Sequence, residues 1–179
     1  FYISLITNSI QILLGTENSL EIARKEFLEG KYEKAIKTSE NLDSIESKIF
    51  HSRVISIYTY FYMEGEIAKD NYLKAYKVSK HALSISNNNP EAFVEAAHAL
   101  GRYGQEIGIM AAISEGIADR VKKYLNKALS LDEKNIVANL SKGIWHAEIV
   151  NQAGKTLARA LYGARPDAAR QHFQKVLNQ

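Results

Sequence analysis

The sequence lacks residues and segments that several classes of protein require. None of its 179 residues is a cysteine, so disulfide bonds, thiolate metal sites and thiol catalysis are excluded. No stretch approaches the roughly 18 uninterrupted apolar residues that a membrane-spanning helix needs. The 23 basic residues nearly balance the 20 acidic ones, which argues against a nucleic-acid-binding surface. The remaining composition, 46% apolar and 24% charged, is that of an ordinary globular protein.

Proline and strand-like patterns are also scarce. The only two prolines, Pro90 and Pro166, each stand where a helix could begin. Alternating apolar and polar runs joined by hairpin turns, which indicate β-strands, are missing. Apolar residues instead recur at helical spacing. The sequence therefore predicts an all-α protein, with helices at roughly 17–29, 31–42, 46–68, 71–86, 90–113, 116–131, 135–162 and 167–178.

The first fourteen residues, FYISLITNSIQILL, carry an apolar stripe that predicts a further helix ending at Gly15. We expect this N-terminal helix, residues 1–15, to cap the bundle or, alternatively, to form a contact in a homo-oligomer. Because the chain begins with Phe1 and not with Met, we also expect a trimmed product. Any export signal or lipid anchor would then lie upstream.

Parts of the sequence repeat. KHALSISNNNPEA (80–92) aligns with KALSLDEKNIVA (127–138), which places Asn89 on Asn135. Small residues recur together with the same turn chemistry, and this combination indicates helical hairpins that nest against their neighbours. The sequence therefore predicts hairpins at 17–42, 46–86, 90–131 and 135–178, whose second helices carry Ala35, Ala75, Val121 and Ala169 at matching buried positions.

A second pair of segments carries a family resemblance. GKYEKAIKTSENL (30–42) and DNYLKAYKVSKHAL (70–83) share a Tyr-x-x-Ala opening, and the latter continues to an Asn-rich turn and Pro. These features resemble the tetratricopeptide repeat, whose standard unit has 34 residues. Because the units here recur at 40 to 48 residues, the extra length is assigned to the first helix of each pair. The resemblance implies one all-α domain over 1–179, with tetratricopeptide-like hairpins in a compact bundle or a short solenoid.

A narrower resemblance lies in the C-terminal third, NLSKGIWHAEIVNQAGKTLARALYGARPDAARQHFQKVL (139–177). This stretch resembles the tetratricopeptide-type T component of tripartite ATP-independent periplasmic (TRAP) transporters. The related regulator-of-microtubule-dynamics proteins share its Gly-x-x-His-Ala-Glu type of element. The transporter resemblance implies a periplasmic, lipid-anchored protein that binds a partner such as a solute-binding protein. The alternative is a cytoplasmic scaffold.

The helix at 135–162 carries the polar side chains best placed for a ligand. Four of them share one helix face: Trp145, Glu148, Gln152 and Lys155. His146 and Asn151 lie on either side of this stripe. In the functional interpretation Trp145 forms an apolar wall, while Glu148, Asn151 and Lys155 offer polar groups to an anionic or apolar ligand. In the structural interpretation the stripe only packs long helices together.

Two further groups have the same double interpretation. Gly104 and Gly108 would allow the helix at 90–113 to approach a neighbour closely, or would mark a kink beside a cavity that faces the helix at 135–162. Tyr58 and Tyr62 share one helix face. They either belong to the core between hairpins or line a channel or partner surface.

No residue pattern indicates a metal, a cofactor or a catalytic centre. The five histidines are dispersed and form no His-x-x-x-His pair, and no Gly-x-Ser-x-Gly element is present. We therefore predict a non-catalytic protein–protein interaction module with no cofactor, an accessory component of a periplasmic uptake system. The alternatives are a cytoplasmic tetratricopeptide scaffold and a small-ligand carrier or enzyme that uses residues 145–155.

Overall fold

The computed structural model describes residue 15 and residues 17–179, and within them it contains helices and no strand. The expectations for the segment 1–14 lie outside these residues. Helix α1 covers 17–28 in the described range. The later helices are α2 (Tyr32–Ser39), α3 (Ile45–Tyr62), α4 (Gly65–Ile85), α5 (Pro90–Ile107), α6 (Ile109–Ser114), α7 (Ile117–Leu131), α8 (Ile136–Leu157) with a π-helical extension (Ala158–Tyr162), and α9 (Pro166–Leu177).

The helices pack as consecutive hairpins. Helix α3 pairs with α4, α5 with α7, and α8 with α9, while α5 also contacts both α3 and α8. The all-α expectation is confirmed. The second helices meet their neighbours through the residues that the repeat alignment predicts to be buried. All four of these positions are buried: Ala35, Ala75, Val121 and Ala169.

The repeated turn has a clear physical role. The side-chain oxygen of Asn89 accepts hydrogen bonds from the first amides of α5, and that of Asn135 does the same for α8. An asparagine at this position satisfies amides that have no partner inside the helix. The two aligned segments thus each contain the start of the first helix of a hairpin. In each of these helices a fully buried alanine follows the asparagine, Ala92 in α5 and Ala138 in α8.

The predicted long first helices are only partly present. The expected helix 46–68 ends at Tyr62, and α4 begins at Gly65, so the extra length of this hairpin lies in its second helix. The expected helix 90–113 is broken at Gly108, whose φ of 82° lies in a region that side chains other than glycine rarely adopt. That break turns α6 away from α5.

Helix α8 is interrupted in a similar way. Gly154 has φ 74° and ψ 158° inside the helical run, and four residues later the chain enters the π-helical turn Ala158–Tyr162. The direction of the chain therefore changes between Gly154 and the start of α9. Residues on either side of Gly154 no longer share one helix face.

Candidate functional site

A concave groove of about 1090 Å³ lies on the face formed by the first helices. Its floor is α5, one wall is α3, and the other is α8, with α6 and part of α7 at one end. The residues that line these parts of the groove are Ile57, Tyr60 and Phe61 on α3, Ala97, Gly101 and Gly104 on α5, Ile109 and Ile113 on α6, and Ile144, Trp145, Glu148 and Ile149 on α8.

One end of the groove is apolar and open to solvent. Tyr60 and Phe61 are 55% and 64% exposed, and Ile113 and Ile144 are 52% and 46% exposed. Single exposed apolar residues are common on protein surfaces, but a contiguous apolar patch lining a concave surface is typical of a binding site. This end therefore has the character of a site that another molecule covers.

The opposite end of the groove is polar and internally satisfied. The guanidinium of Arg53 on α3 donates to the carboxylates of Glu95 at 2.7 Å and Glu91 at 2.9 Å. Glu91 also accepts a hydrogen bond at 2.9 Å from the side chain of Asn135. Glu95 is only 2% exposed, and a buried carboxylate is tolerated when it is paired and hydrogen-bonded in this way. This network joins α3, α5 and α8 at the polar end of the groove.

Within this network Ser141, His98 and Glu95 stand in an order that invites comparison with a catalytic triad. Ser141 Oγ lies 2.6 Å from His98 Nε2, and His98 Nδ1 lies 4.0 Å from Glu95 Oε2. Desolvation by the surrounding walls lowers the pKa of His98. A nucleophilic serine needs a base, an orienting acid in hydrogen-bond contact with that base, and donors for the developing oxyanion.

The surrounding contacts make this trio a structural network. The Ser141 hydroxyl donates to the carbonyl of Val137 one turn earlier, at 2.7 Å. The Glu95 carboxylate is held by Arg53, and 4.0 Å is too long for a hydrogen bond to His98. Ser141 also lies inside α8, where backbone amides are engaged in helical bonds and cannot serve as oxyanion donors.

Trp145 lies beneath the groove wall and not across its opening. It is 6% exposed, and its indole N–H donates to the carbonyl of Ala118 at 3.0 Å. The amines of Lys142 and Lys122 lie 4.6 and 5.5 Å from its ring. Its main role in the described structure is therefore to hold α7 against α8, although it also lines the groove.

The ring of His146 lies beside that of Trp145, 4.9 Å away between centroids, and packs toward α9. Its Nδ1 accepts a hydrogen bond from the backbone amide of Arg165 at 3.2 Å, and its ring stacks on that of His172. Burial, reinforced by the nearby Lys142, lowers the pKa of His146 to about 4. The ring is therefore neutral at pH 7, and it joins α8 to the start of α9.

The structure divides the residues that the sequence singles out. Gly104, Trp145 and Glu148 line the groove, as does Gln152. Gly104 is in close contact, since a Cβ there would lie 2.9 Å from Ile117. Gly108 forms the break after α5. Asn151 is exposed and lies outside the groove lining.

Lys155 is separated from Trp145 and Glu148. It follows the break at Gly154, and it lines a shallow depression with Arg159, beside the start of α9. The expected single stripe from Trp145 to Lys155 therefore does not form. Such a stripe requires a straight helix from 145 to 155. The non-helical backbone of Gly154 instead turns Lys155 away from the face that carries Trp145 and Glu148.

Tyr58 and Tyr62 face the first hairpin. Their rings lie 6.5 and 6.0 Å from that of Tyr32, and the Tyr58 hydroxyl donates to Glu33. The groove instead receives the neighbouring aromatic residues, Tyr60 and Phe61. All of these positions are aromatic, so periodicity within α3 could not identify the face that meets the groove.

No cluster of metal-ligating side chains occurs among the residues that the structure describes. In the same range, no helix is both long enough and apolar enough to cross a membrane.

The fold and the groove define an all-α protein of packed helical hairpins with a concave groove. The family model for Regulator of microtubule dynamics protein 1-3 matches residues 20–178. The chain therefore belongs to this family. No curated protein shows significant sequence similarity to it.

The family match corrects the resemblance to the transporter T component, which is wrong. The stretch that suggests it, GIWHAE, is of a type that both groups share. In the structure these residues pack α8 on α9. Gly143 lies directly under the ring of Phe173, and His146 contacts the chain before α9. The motif thus reports how one hairpin packs, and it carries no information on a transporter partner.

Proposed function

We propose that this protein is a non-catalytic, tetratricopeptide-like interaction module whose groove binds a segment of a partner protein. The observation that carries the proposal is the open apolar end of the groove, where Tyr60, Phe61, Ile113 and Ile144 are about half exposed or more. Aromatic and aliphatic anchors at the centre of a concave surface provide most of the binding energy in protein interfaces.

The polar end of the groove supports a binding role over a catalytic one. Its charged groups are paired with one another, and Glu95 has its carboxylate engaged by Arg53. A catalytic acid or base must be free to exchange a proton with a substrate. We therefore expect that a fluorophosphonate reagent, which reacts with activated serines, will not label Ser141.

The identity of the partner is part of the proposal. The family is described by its role in the regulation of microtubule dynamics, so we propose a microtubule-associated protein as a partner class. The family match gives no support for a periplasmic location. A small apolar ligand in the same groove is the second candidate, since a volume of about 1090 Å³ is at the upper end of small-molecule sites.

A selection from a displayed library of random 16-residue peptides tests the proposal. The native chain and the groove variants Phe61→Asp and Ile144→Asp would be used as bait. The matched control is Leu177→Asp, because Leu177 is 82% exposed at the end of α9 and lies outside the groove. We expect peptides that bind the native chain and the control but not the groove variants. If the selected peptides bind both groove variants as well as they bind the native chain, the proposed function is refuted.

A further inference from the structure

From the shape and the free charges of the groove, we infer that its occupant is an amphipathic α-helix of the partner protein. The apolar stripe of this helix would lie on α5, with an acidic side chain at Arg102 and a basic one at Glu148. This inference rests on the proposed function and adds the conformation and charge of the bound segment.

The cross-section of the groove suits a helix. The floor on α5 is low because it presents Ala97, Gly101 and Gly104. The walls α3 and α8 both contact α5. Neighbouring helix axes are typically 8–10 Å apart, and a helix with its side chains is about 10–12 Å across. A bound helix would therefore lie over the small residues of α5 and touch the side chains of both walls, whereas a single extended strand would leave apolar wall uncovered.

The length of the groove can be compared with its volume. A cylinder about 10 Å wide that encloses 1090 Å³ is about 14 Å long, which corresponds to roughly nine helical residues at 1.5 Å each. Nine residues provide two to three turns and hence apolar positions at i, i+3 or i+4, and i+7. This number is enough to contact Phe61, Ile113 and Ile144 at the open end.

Two charged side chains of the groove form no ion pair with a described residue: Arg102 on α5, whose guanidinium lies against Tyr60 of α3, and Glu148 on α8. Arg102 lies with its guanidinium 4.4 Å from the ring of Tyr60 and donates to the amide oxygen of Gln105. No carboxylate in the described part of the chain pairs with it, whereas Arg53 is bound by two. Glu148 lines the α8 wall and is exposed. It forms no ion pair with any described cation.

Complementary charges fix the register of an occupant more than they increase its affinity. A carboxylate on one flank of the helix would meet Arg102, and a cation on the other flank would meet Glu148. Rotating the helix end for end would exchange both flanks. The groove therefore selects a helix with flanking charges of opposite sign and does not select the direction of its chain.

Designed 16-residue peptides provide the probe. All carry the same leucine stripe at i, i+3, i+4 and i+7. The first has Glu on one flank and Lys on the other, the second has Lys on both flanks, and the third has Glu on both. A fourth repeats the first with a central proline, which breaks a helix. Dissociation constants would be measured by fluorescence anisotropy at low salt.

We expect the mixed-charge peptide to bind the native chain best, and the proline peptide at least tenfold more weakly. Arg102→Glu should weaken the mixed peptide roughly three- to tenfold and make the peptide with Lys on both flanks the preferred one. The control Arg170→Glu makes the same charge change on an exposed residue of α9 and should alter neither value. Ile144→Asp should weaken all helical peptides at least tenfold.

Several results would overturn the inference. Equal binding of the proline peptide would exclude a helix, and a charge preference unaffected by Arg102→Glu would exclude the assigned contacts. If the library selection yields groove-dependent peptides that are extended or proline-rich, the helix inference fails while the proposed function stands. If neither experiment yields groove-dependent binding, both fail. A dimer that the designed peptides dissociate in light scattering would instead assign the groove to a second copy of this chain.

Discussion

Replacement of Lys142 by Met is expected to stabilise the protein at neutral pH. Lys142 is 5% exposed, and its amine has no hydrogen-bond partner among the described residues. Burial, together with the charge of nearby Lys122, lowers the pKa of Lys142 to about 8. The only compensation that the structure shows is the ring of Trp145, 4.6 Å from the amine.

The size of the effect follows from the pKa. A fall from 10.5 to about 8 corresponds to about 3 kcal/mol at 1.36 kcal/mol per unit. A cation–π contact returns about 1 kcal/mol of this. Methionine is of similar length and fills the site without a charge. We therefore expect Lys142→Met to raise the free energy of unfolding by about 2 kcal/mol at pH 7.

The pH dependence has a definite sign. The folded-state pKa of a buried amine is lower than the unfolded one, so the unfolded chain binds more protons between about pH 8 and 10.5, and native stability rises with pH in that window. The full penalty is present below pH 8 and disappears as the pH approaches 10.5. The advantage of Lys142→Met should therefore be largest at pH 7 and small at pH 10.

Urea unfolding at pH 7 and pH 10 measures this difference. Lys127→Met serves as the matched control, because Lys127 is exposed on α7 and should change stability by less than about 0.5 kcal/mol. If Lys142→Met destabilises the protein at pH 7, or if its advantage is the same at both pH values, the account of a buried, unpaired amine is refuted.

Three further predictions concern packing, each measured by urea unfolding. Gly143→Ala should destabilise the protein by about 1–3 kcal/mol, because a Cβ there would lie within 2.7 Å of the Phe173 ring. The control Gly101→Ala, at a position with room for a Cβ, should leave the stability unchanged or raise it by up to about 1 kcal/mol. Ala75→Trp should destabilise by at least 1–3 kcal/mol, because Ala75 is fully buried in the seam between hairpins; unchanged stability would contradict that packing. Trp145→Phe should cost about 1 kcal/mol through loss of its indole hydrogen bond, and the same urea midpoint as in the native chain would show that this bond contributes nothing.

The hairpin architecture was predictable because its determinants are local. Asn89 and Asn135 begin equivalent helices, and each is followed three residues later by a small residue that packs without space for a side chain. Capping chemistry and the size of a buried residue are both visible in a sequence. The repeat could therefore be recognised from short segments even though its length is irregular.

The groove was less predictable because it depends on which helix face points inward. In α3, aromatic residues occupy Tyr58 and every position from Tyr60 to Tyr62, so no polar face marks the solvent side. In α8, Gly154 adopts a positive φ, which a single glycine in a helical pattern does not indicate. Because of the first ambiguity, the sequence could not tell whether Tyr58 and Tyr62 or their aromatic neighbours line the groove. Because of the second, Lys155 was placed on a stripe that it does not share.

The central claim is that a partner helix lies along α5, between α3 and α8. Since the chain has no cysteine, the mixed-charge peptide can carry the only thiol in the sample, and a nitroxide can be attached at its centre. Paramagnetic broadening of the backbone amides of the isotope-labelled chain then locates the bound peptide. We predict that broadening is strongest around Ile57, Gly101 and Ile144 and is absent from the outer faces of α2 and α9. Broadening centred on α2 or α9, or spread evenly over the chain, would contradict the claim.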